Sequence, residues 1–250
     1  MPTDIEWVKN ADGSRGSSWN CVTGCKPDFP CWAHCYARRM SKRLRGRSGY
    51  PRDDPFRPTF HADKLDQPLH WKKPRVIFVC SMGDLFCDGV KREWQDAVID
   101  VILADTPHTF ILLTKRVKEA GEYLSRFYLP DFGERLVLGT SISTQDDMHR
   151  VADLGQIPAW RRVVSVEPML SAIDMHLPLP PEPYGPINGI ICGCETGPGA
   201  RSMNIDWARG LRDQCALSGV SFFLKKLSDG TRLLDGREHN DVAWGRKEKS

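Results

Sequence analysis

Short apolar, β-branched runs alternate with amphipathic stretches over most of the chain. The runs fall at residues 75–80, 109–114, 136–141, 162–166, 189–194 and 221–225, and their starts are 34, 27, 26, 27 and 32 residues apart. One strand with a returning helix occupies roughly 30 residues, so the spacing predicts successive parallel strands. Runs such as Val76-Ile77-Phe78-Val79-Cys80 and Phe110-Ile111-Leu112-Leu113 are continuously apolar rather than alternating, the pattern of strands covered on both faces.

The segments between the runs carry helix signals. Over 93–104, Trp94, Ala97, Val98, Val101 and Ile102 share one stripe. Thr144 can cap a helix whose first turn holds Asp146 and Asp147, where carboxylates oppose the positive end of the helix dipole. Over 206–217, Trp207, Leu211 and Cys215 fall at helical spacing, with Gly219 suited to the left-handed residue that ends it. Another helix is expected from about 36 to 44.

This pattern predicts an α/β protein, a partial (βα)6 TIM-like barrel of parallel strands with an N-terminal cysteine-rich loop. The barrel is expected over residues 1–226, with the cysteine loop at 19–37 and a basic, proline-rich connection at 38–74. A short first strand near 17–21 would precede the loop. Prolines at 51, 55, 58, 68 and 74 make the connection irregular, 178–186 reads as a proline-rich loop, and 227–250 as an irregular tail.

Composition narrows the setting. A chain of 250 residues that is 40% apolar and 27% charged is globular in type. Its apolar runs fall far short of the ~20 residues of a membrane helix, so no membrane partner is expected. The segment Met1-Pro2-Thr3-Asp4-Ile5-Glu6-Trp7 lacks the basic start and apolar core of a secretory signal, which makes a cytoplasmic location the expectation. Nine cysteines then argue for metal or thiol chemistry rather than a disulfide scaffold. The net charge of +3 is uneven: between Arg38 and Arg57 eight basic residues meet only Asp53 and Asp54, a local +6 that leaves −3 for the remainder. Such a block suits a polyanion such as nucleic acid, or a solvated surface.

Parallel α/β sheets bind ligands at the carboxyl ends of their strands. Here those ends are polar in succession: Ser81-Met82-Gly83-Asp84, Thr114-Lys115-Arg116, Thr140-Ser141-Ile142-Ser143, Ser165-Val166-Glu167-Pro168 and Gly193-Cys194-Glu195-Thr196-Gly197. Cys21, Cys25, Cys31 and Cys35 crowd into fifteen residues. Thiolates in one short loop suit zinc or an iron-sulfur cluster, and the x3, x5, x3 spacing lacks the paired knuckles of structural zinc. Cys80, Cys192, Cys194 and Cys215 read as packing thiols, whereas Cys87 has no assignment.

A glycine-cysteine loop ending in Cys35-Tyr36-Ala37, ahead of about six βα units, resembles the radical S-adenosylmethionine superfamily. More specifically, the chain is similar to the superfamily's phage- and mobile-element-associated three-cysteine branch. The likeness runs in order from Ile5-Glu6-Trp7 through Trp19-Asn20, Val22-Thr23-Gly24-Cys25, Ser81-Met82-Gly83-Asp84-Leu85-Phe86, Leu113-Thr114-Lys115-Arg116 and Ser165-Val166-Glu167-Pro168. It continues to Glu195-Thr196-Gly197-Pro198-Gly199-Ala200-Arg201 and on to Lys225.

The resemblance implies a 4Fe-4S cluster held by Cys25, Cys31 and Cys35, with one iron open to S-adenosylmethionine and an external reductase or electron donor. Cleavage of that cofactor would give methionine and a 5'-deoxyadenosyl radical, the protein supplying position and shelter from water. It also implies that Tyr36 packs on the adenine, that Ser81, Gly83 and Asp84 take the methionine amine, and that Ser141, Glu167 and Glu195 line the ribose, carboxylate or substrate side. The chain departs from the branch in having Cys31 and Cys35 three residues apart, and in carrying Cys21 where proline is usual. If Cys21 adds a fourth thiolate, no iron is open and the site is structural or electron-transferring. The expected function is therefore a radical enzyme, with nucleic acid or a nucleotide as a candidate substrate. Tyr50 and Phe56 would be stacking groups within the basic block. The alternative is a non-catalytic zinc or iron-sulfur protein that binds nucleic acid.

Overall fold

The computed structural model describes residues 2–26, 32, 34–159, 161–176 and 185–244. Its strands are β1 (Ser17–Trp19), β2 (Val22–Thr23), β3 (Thr59–Phe60), β4 (Val76–Val79), β5 (Thr109–Thr114), β6 (Leu136–Ile142), β7 (Arg161–Val166), β8 (Gly189–Gly193), β9 (Ser221–Lys226), β10 (Leu233–Leu234) and β11 (Arg237–Glu238). Its α-helices are α1 (Tyr36–Arg43), α2 (Arg92–Leu103), α3 (Val117–Leu124), α4 (His149–Gln156) and α5 (Ile205–Ser218).

Seven strands form one all-parallel sheet in the order β1-β4-β5-β6-β7-β8-β9. Sequential order means that every crossover advances to the next position, so the sheet is an open half-barrel. Its outer edges meet isolated antiparallel bridges, Pro2 with Ser17 on β1 and Asn240 with Phe223 on β9. All six expected runs are strands in this sheet, and the short strand ahead of the cysteine loop is β1.

Register divides the sheet into two faces, because directly paired residues point the same way. Ile77, Val79, Phe110, Leu112, Leu138, Val164, Ile190 and Leu224 pack into the larger core with the helices. The opposite face carries Val76, Phe78, Ile111, Val137, Val163, Ile191 and Phe223, and among the described residues no helix covers it. Trp7, Val8, Ala243 and Trp244 pack on it instead, with ring centroids 4.8 Å apart for Trp7 and Phe78 and 5.7 Å for Trp7 and Trp244. The two ends of the chain thus plug the concave face toward the amino ends of the strands.

Local signals account for the helix limits. Asn204 accepts the Asp206 amide at 2.9 Å to cap α5, and Gly219 ends it in the left-handed region with φ 66°. Thr144 forms a capping box with Asp147, ahead of a 3-10 turn, Gln145–Met148, that runs into α4. Two differences from expectation stand out. Between β7 and β8 the described residues, 167–176 and 185–188, form no helix, and the proline-rich segment lies largely outside the described residues. The segment after 226, expected to be an irregular tail, folds into the β10–β11 hairpin around Asp235 and Gly236, both with positive φ. It then buries Leu234, Ala243 and Trp244.

If Trp7 and Trp244 are part of the core, Trp7→Ala and Trp244→Ala should each cost about 3–5 kcal/mol in urea unfolding. The double variant should lose less than the sum, because the rings touch. Losses below about 1 kcal/mol would show the plug to be dispensable.

Candidate functional site at the carboxyl ends of the strands

Backbone contacts lock the loop leaving β1 to the turn leaving β4. Gly24 and Gly83 form a parallel bridge, the Gly24 amide donating to the Met82 carbonyl at 2.9 Å and the Asp84 amide to the Gly24 carbonyl at 3.3 Å. A Cβ on Gly24, whose φ is 92°, would lie 2.2 Å from the Arg57 carbonyl oxygen, and one on Gly83 would lie 2.7 Å from the Gly24 carbonyl oxygen. Only glycine permits this approach. Cys25 follows directly, its amide donating to the Phe56 carbonyl at 3.0 Å. Asn20 Oδ1 braces the opposing turn by accepting the Met82 amide at 3.0 Å and the Ser81 hydroxyl at 3.2 Å.

Asp84 is buried at the centre of this junction. Its Oδ1 accepts the Thr114 hydroxyl at 2.8 Å and the Phe86 amide at 3.0 Å, and its Oδ2 accepts the Lys115 amide at 3.0 Å. Arg116 Nη1 lies 3.7 Å from Asp84 Oδ2 and donates to Cys25 Sγ at 3.5 Å, so one guanidinium joins carboxylate and thiol.

Cys25 and Cys87 hydrogen-bond through their thiols, and the Lys26 amide donates to Cys87 Sγ at 3.2 Å. The bond from Cys87 lowers the Cys25 thiol to about 7; burial and Asp84 oppose this, and Arg116 assists it. Cys87, whose thiol donates to the Asp88 carbonyl at 3.3 Å, is pushed up by its bond with Cys25 and by burial. Cys21 is elsewhere: it is fully buried beside Cys80, and burial raises its thiol far above the usual range. The thiol beside Cys25 is therefore Cys87, not Cys21. Cys35 is half-buried at the N-cap of α1, while Cys31 lies outside the described residues. Among the described residues, no three His, Cys, Asp or Glu side chains gather as metal ligands.

The cysteine segment reaches the other side of the mouth through α1. Arg39 Nη1 donates to the Thr196 carbonyl at 2.9 Å, and His34 Nδ1 lies 3.8 Å from Glu195 Oε2. Buried Glu195 accepts Arg201 Nη2 at 2.6 Å, Arg201 Nε at 3.0 Å and the Arg201 amide at 2.9 Å, which hold its carboxyl below the usual range. Cys25 thus stands at the ends of β4 and β5, and His34 and Arg39 at the loop after β8.

Beneath it, the concave face turns polar. Ser141 and Ser165 are paired in register on β6 and β7. Glu167, just past β7, forms an ion pair with Lys225 of β9. Burial works against the Lys225 charge, but Glu167, with a further contribution from Glu6, holds the ammonium above the usual lysine range.

The expected site residues therefore separate into two groups. Tyr36 is 57% exposed, and Ser81, Ser141 and Glu167 at the strand ends are half-buried. Asp84 and Glu195 give their oxygens to protein donors, and Gly83 is a contact between backbones. Tyr50 and Phe56, expected as stacking groups, are buried instead, Tyr50 against His61 and Phe56 against Trp32. Sequence reasoning missed Cys87 and the pairing of Lys225 with Glu167. Lys225 had a usable signal, since it shares the inward parity of Phe223 on β9. Cys87 had none, because its place depends on a contact between two loops.

Fold and site define an open parallel α/β half-barrel with the thiols of Cys25 and Cys87 at the carboxyl ends of its first strands. The chain belongs to the family described as "Protein of unknown function (DUF5131)", which matches residues 2–245. No curated protein and no solved structure matches it.

Removing the Asp84 carboxylate would strip a buried guanidinium of its counter-charge and leave two amides and a hydroxyl short of an acceptor. Asp84→Ala should destabilise the fold by about 3–5 kcal/mol in urea unfolding, with Asp84→Asn costing less. A loss under about 1 kcal/mol would mean that Asp84 does not hold the junction.

Proposed function

We propose that the chain is a radical S-adenosylmethionine enzyme whose 4Fe-4S cluster is held by Cys25, Cys31 and Cys35. One observation carries the reading: Cys25 is fixed at the ends of β4 and β5 with its thiol lowered to about 7, on the same short segment whose Cys35 opens α1. A thiol so lowered suits a soft iron site, because the thiolate is the ligand. Cys21, in the core with Cys80, leaves three thiols of the segment for the cluster, the number that keeps one iron open.

Bound there, the cluster would supply the electron that cleaves S-adenosylmethionine to methionine and a 5'-deoxyadenosyl radical, with a reductase as its external source. The chain's own residues bind and shield. Tyr36 offers an exposed ring to the adenine, and Ser81, Ser141 and Glu167 offer polar groups to the cofactor or substrate. Lys225 fixes the Glu167 carboxylate, and the plug of Trp7, Phe78 and Trp244 excludes water from below. Asp84, Gly83 and Glu195 act by positioning the loops. Free thiols and the lack, among the described residues, of any helix long and apolar enough to cross a membrane suit a reducing cytoplasm.

Anaerobic reconstitution tests this reading. Wild type should bind about four irons with matching sulfide and should release 5'-deoxyadenosine when reduced in the presence of S-adenosylmethionine. Cys25→Ala, Cys31→Ala and Cys35→Ala should lose the cluster, whereas Cys21→Ala should keep it. One zinc per chain without sulfide would favour the non-catalytic metal protein instead.

We assign nucleic acid or a nucleotide as the substrate class. Lys42, Arg43, Arg45, Arg47 and Arg52 are exposed on and after α1, directly beyond the cysteine segment. They support contact with phosphates, while stacking falls to Tyr36 rather than to the buried Tyr50 and Phe56. Binding of short DNA and RNA should weaken with salt, and changing Arg43, Arg45 and Arg47 together to Ala should lower the log-log salt slope by about 1–3. An unchanged slope would remove this surface from the reading.

A further inference from the structure

We infer that Cys25 and Cys87 are a redox modification site, oxidised by a peroxide to a reversible disulfide between the β1 loop and the β4 turn. The inference needs only these two thiols and stands apart from the cofactor reading. The two segments are clamped on both sides of the pair. The Gly24–Gly83 bridge holds them together before it, and the Lys26–Asp88 ion pair holds them together after it. Between these clamps, Cys87 Sγ lies 3.2 Å from the amide nitrogen that directly follows Cys25, and each thiol donates to the carbonyl of its next residue, Cys25 to Lys26 at 3.6 Å and Cys87 to Asp88 at 3.3 Å. Arg116 Nη1 contacts Cys25 Sγ at 3.5 Å, so the pair is braced from β5 as well.

Other cysteines of the chain lack this combination. Cys21 and Cys80 also interact, but they are 0% and 3% exposed and have no such polar brace, so a peroxide does not reach them. Cys192 lies on β8 and Cys194 just past its end, and Cys192 contacts the Met169 sulfur at 3.6 Å. Cys25 is half-buried and Cys87 is 2% exposed, which fixes the order of events. The Cys25 sulfur attacks hydrogen peroxide and breaks the O–O bond, giving a sulfenic acid and one water. The Cys87 sulfur then attacks the Cys25 sulfur, forming the S–S bond as the hydroxyl leaves with the Cys87 proton as a second water. Two thiols are oxidised by two electrons, one peroxide is reduced, and a dithiol reductant reverses the change. The disulfide also removes Cys25 from any metal ligand set.

The full-length chain, reduced and freed of metal, should be treated with a small excess of hydrogen peroxide, alkylated and digested without reductant. Peptide mapping should recover Cys25 linked to Cys87 in more than half of the molecules, and dithiothreitol should return both to alkylatable thiols. Cys87→Ser should lose the link and retain a Cys25 sulfenic acid that dimedone traps. Wild-type mapping decides the matter even if that variant does not fold. Recovery of Cys25 joined to Cys31 or Cys35, or as a sulfinic acid with Cys87 still a thiol, would overturn the inference.

Discussion

A carboxylate withdrawn from water has to be satisfied by protein, and Asp84 is satisfied from several places at once. Its partners are the amide two residues on in its own turn, the hydroxyl and amide at the end of β5, and the Arg116 guanidinium. An arrangement lacking any one of them leaves part of a buried charge or dipole unpaired, which typically costs several kcal/mol. The turn after β4 and the end of β5 therefore have one mutual geometry. The cysteine loop inherits it, since the Asp84 amide bonds to Gly24 and Arg116 reaches the Cys25 sulfur. Position at the mouth is set by this carboxylate before any ligand is considered.

Glu195 does the same work at the other side. Arg201 takes both of its oxygens, and the resulting loop receives His34 and Arg39 from the far end of the cysteine segment. The described residues on either side of that segment are thus each fastened by a buried carboxylate, Gly24 and Cys25 through Asp84 and His34 and Arg39 through the Glu195 loop. The Tyr36 ring, Ser141 and the Glu167–Lys225 pair are less buried than these carboxylates. Division of labour among acidic residues at strand ends thus follows from burial, with the deeply buried pair building the mouth and Glu167 lining it.

The strands were legible because a parallel sheet covered on both faces leaves long apolar runs, and all six runs are strands at nearly the expected limits. The concave face was legible only in part. Its amino-end half is filled by Trp7 and Trp244 from opposite ends of the chain, and contacts between distant segments leave no period to read. The same reason explains the segment after 226, whose polar composition resembles a tail although its few apolar residues, Leu234, Ala243 and Trp244, are buried. At the strand ends, residue types singled out Ser81, Asp84, Ser141, Glu167 and Glu195 as candidates. They could not tell an outward carboxylate from one already bonded within the protein.

The thiols give the clearest instance of environment deciding chemistry. Segments 19–25 and 80–87 run side by side, tied by the Cys80 amide on the Trp19 carbonyl at 2.8 Å and by the Gly24–Gly83 bridge. Each tie brings a cysteine of one segment near a cysteine of the other, Cys21 with Cys80 and Cys25 with Cys87. The first pair is enclosed by apolar side chains, and burial drives Cys21 toward the neutral, inert thiol. At the second pair, the bond from Cys87 lowers Cys25 to about 7 against burial and Asp84, with Arg116 assisting. Spacing along the chain grouped Cys21 with Cys25. Pairing across the chain separates them, Cys21 in the apolar core with Cys80 and Cys25 at the mouth beside Arg116.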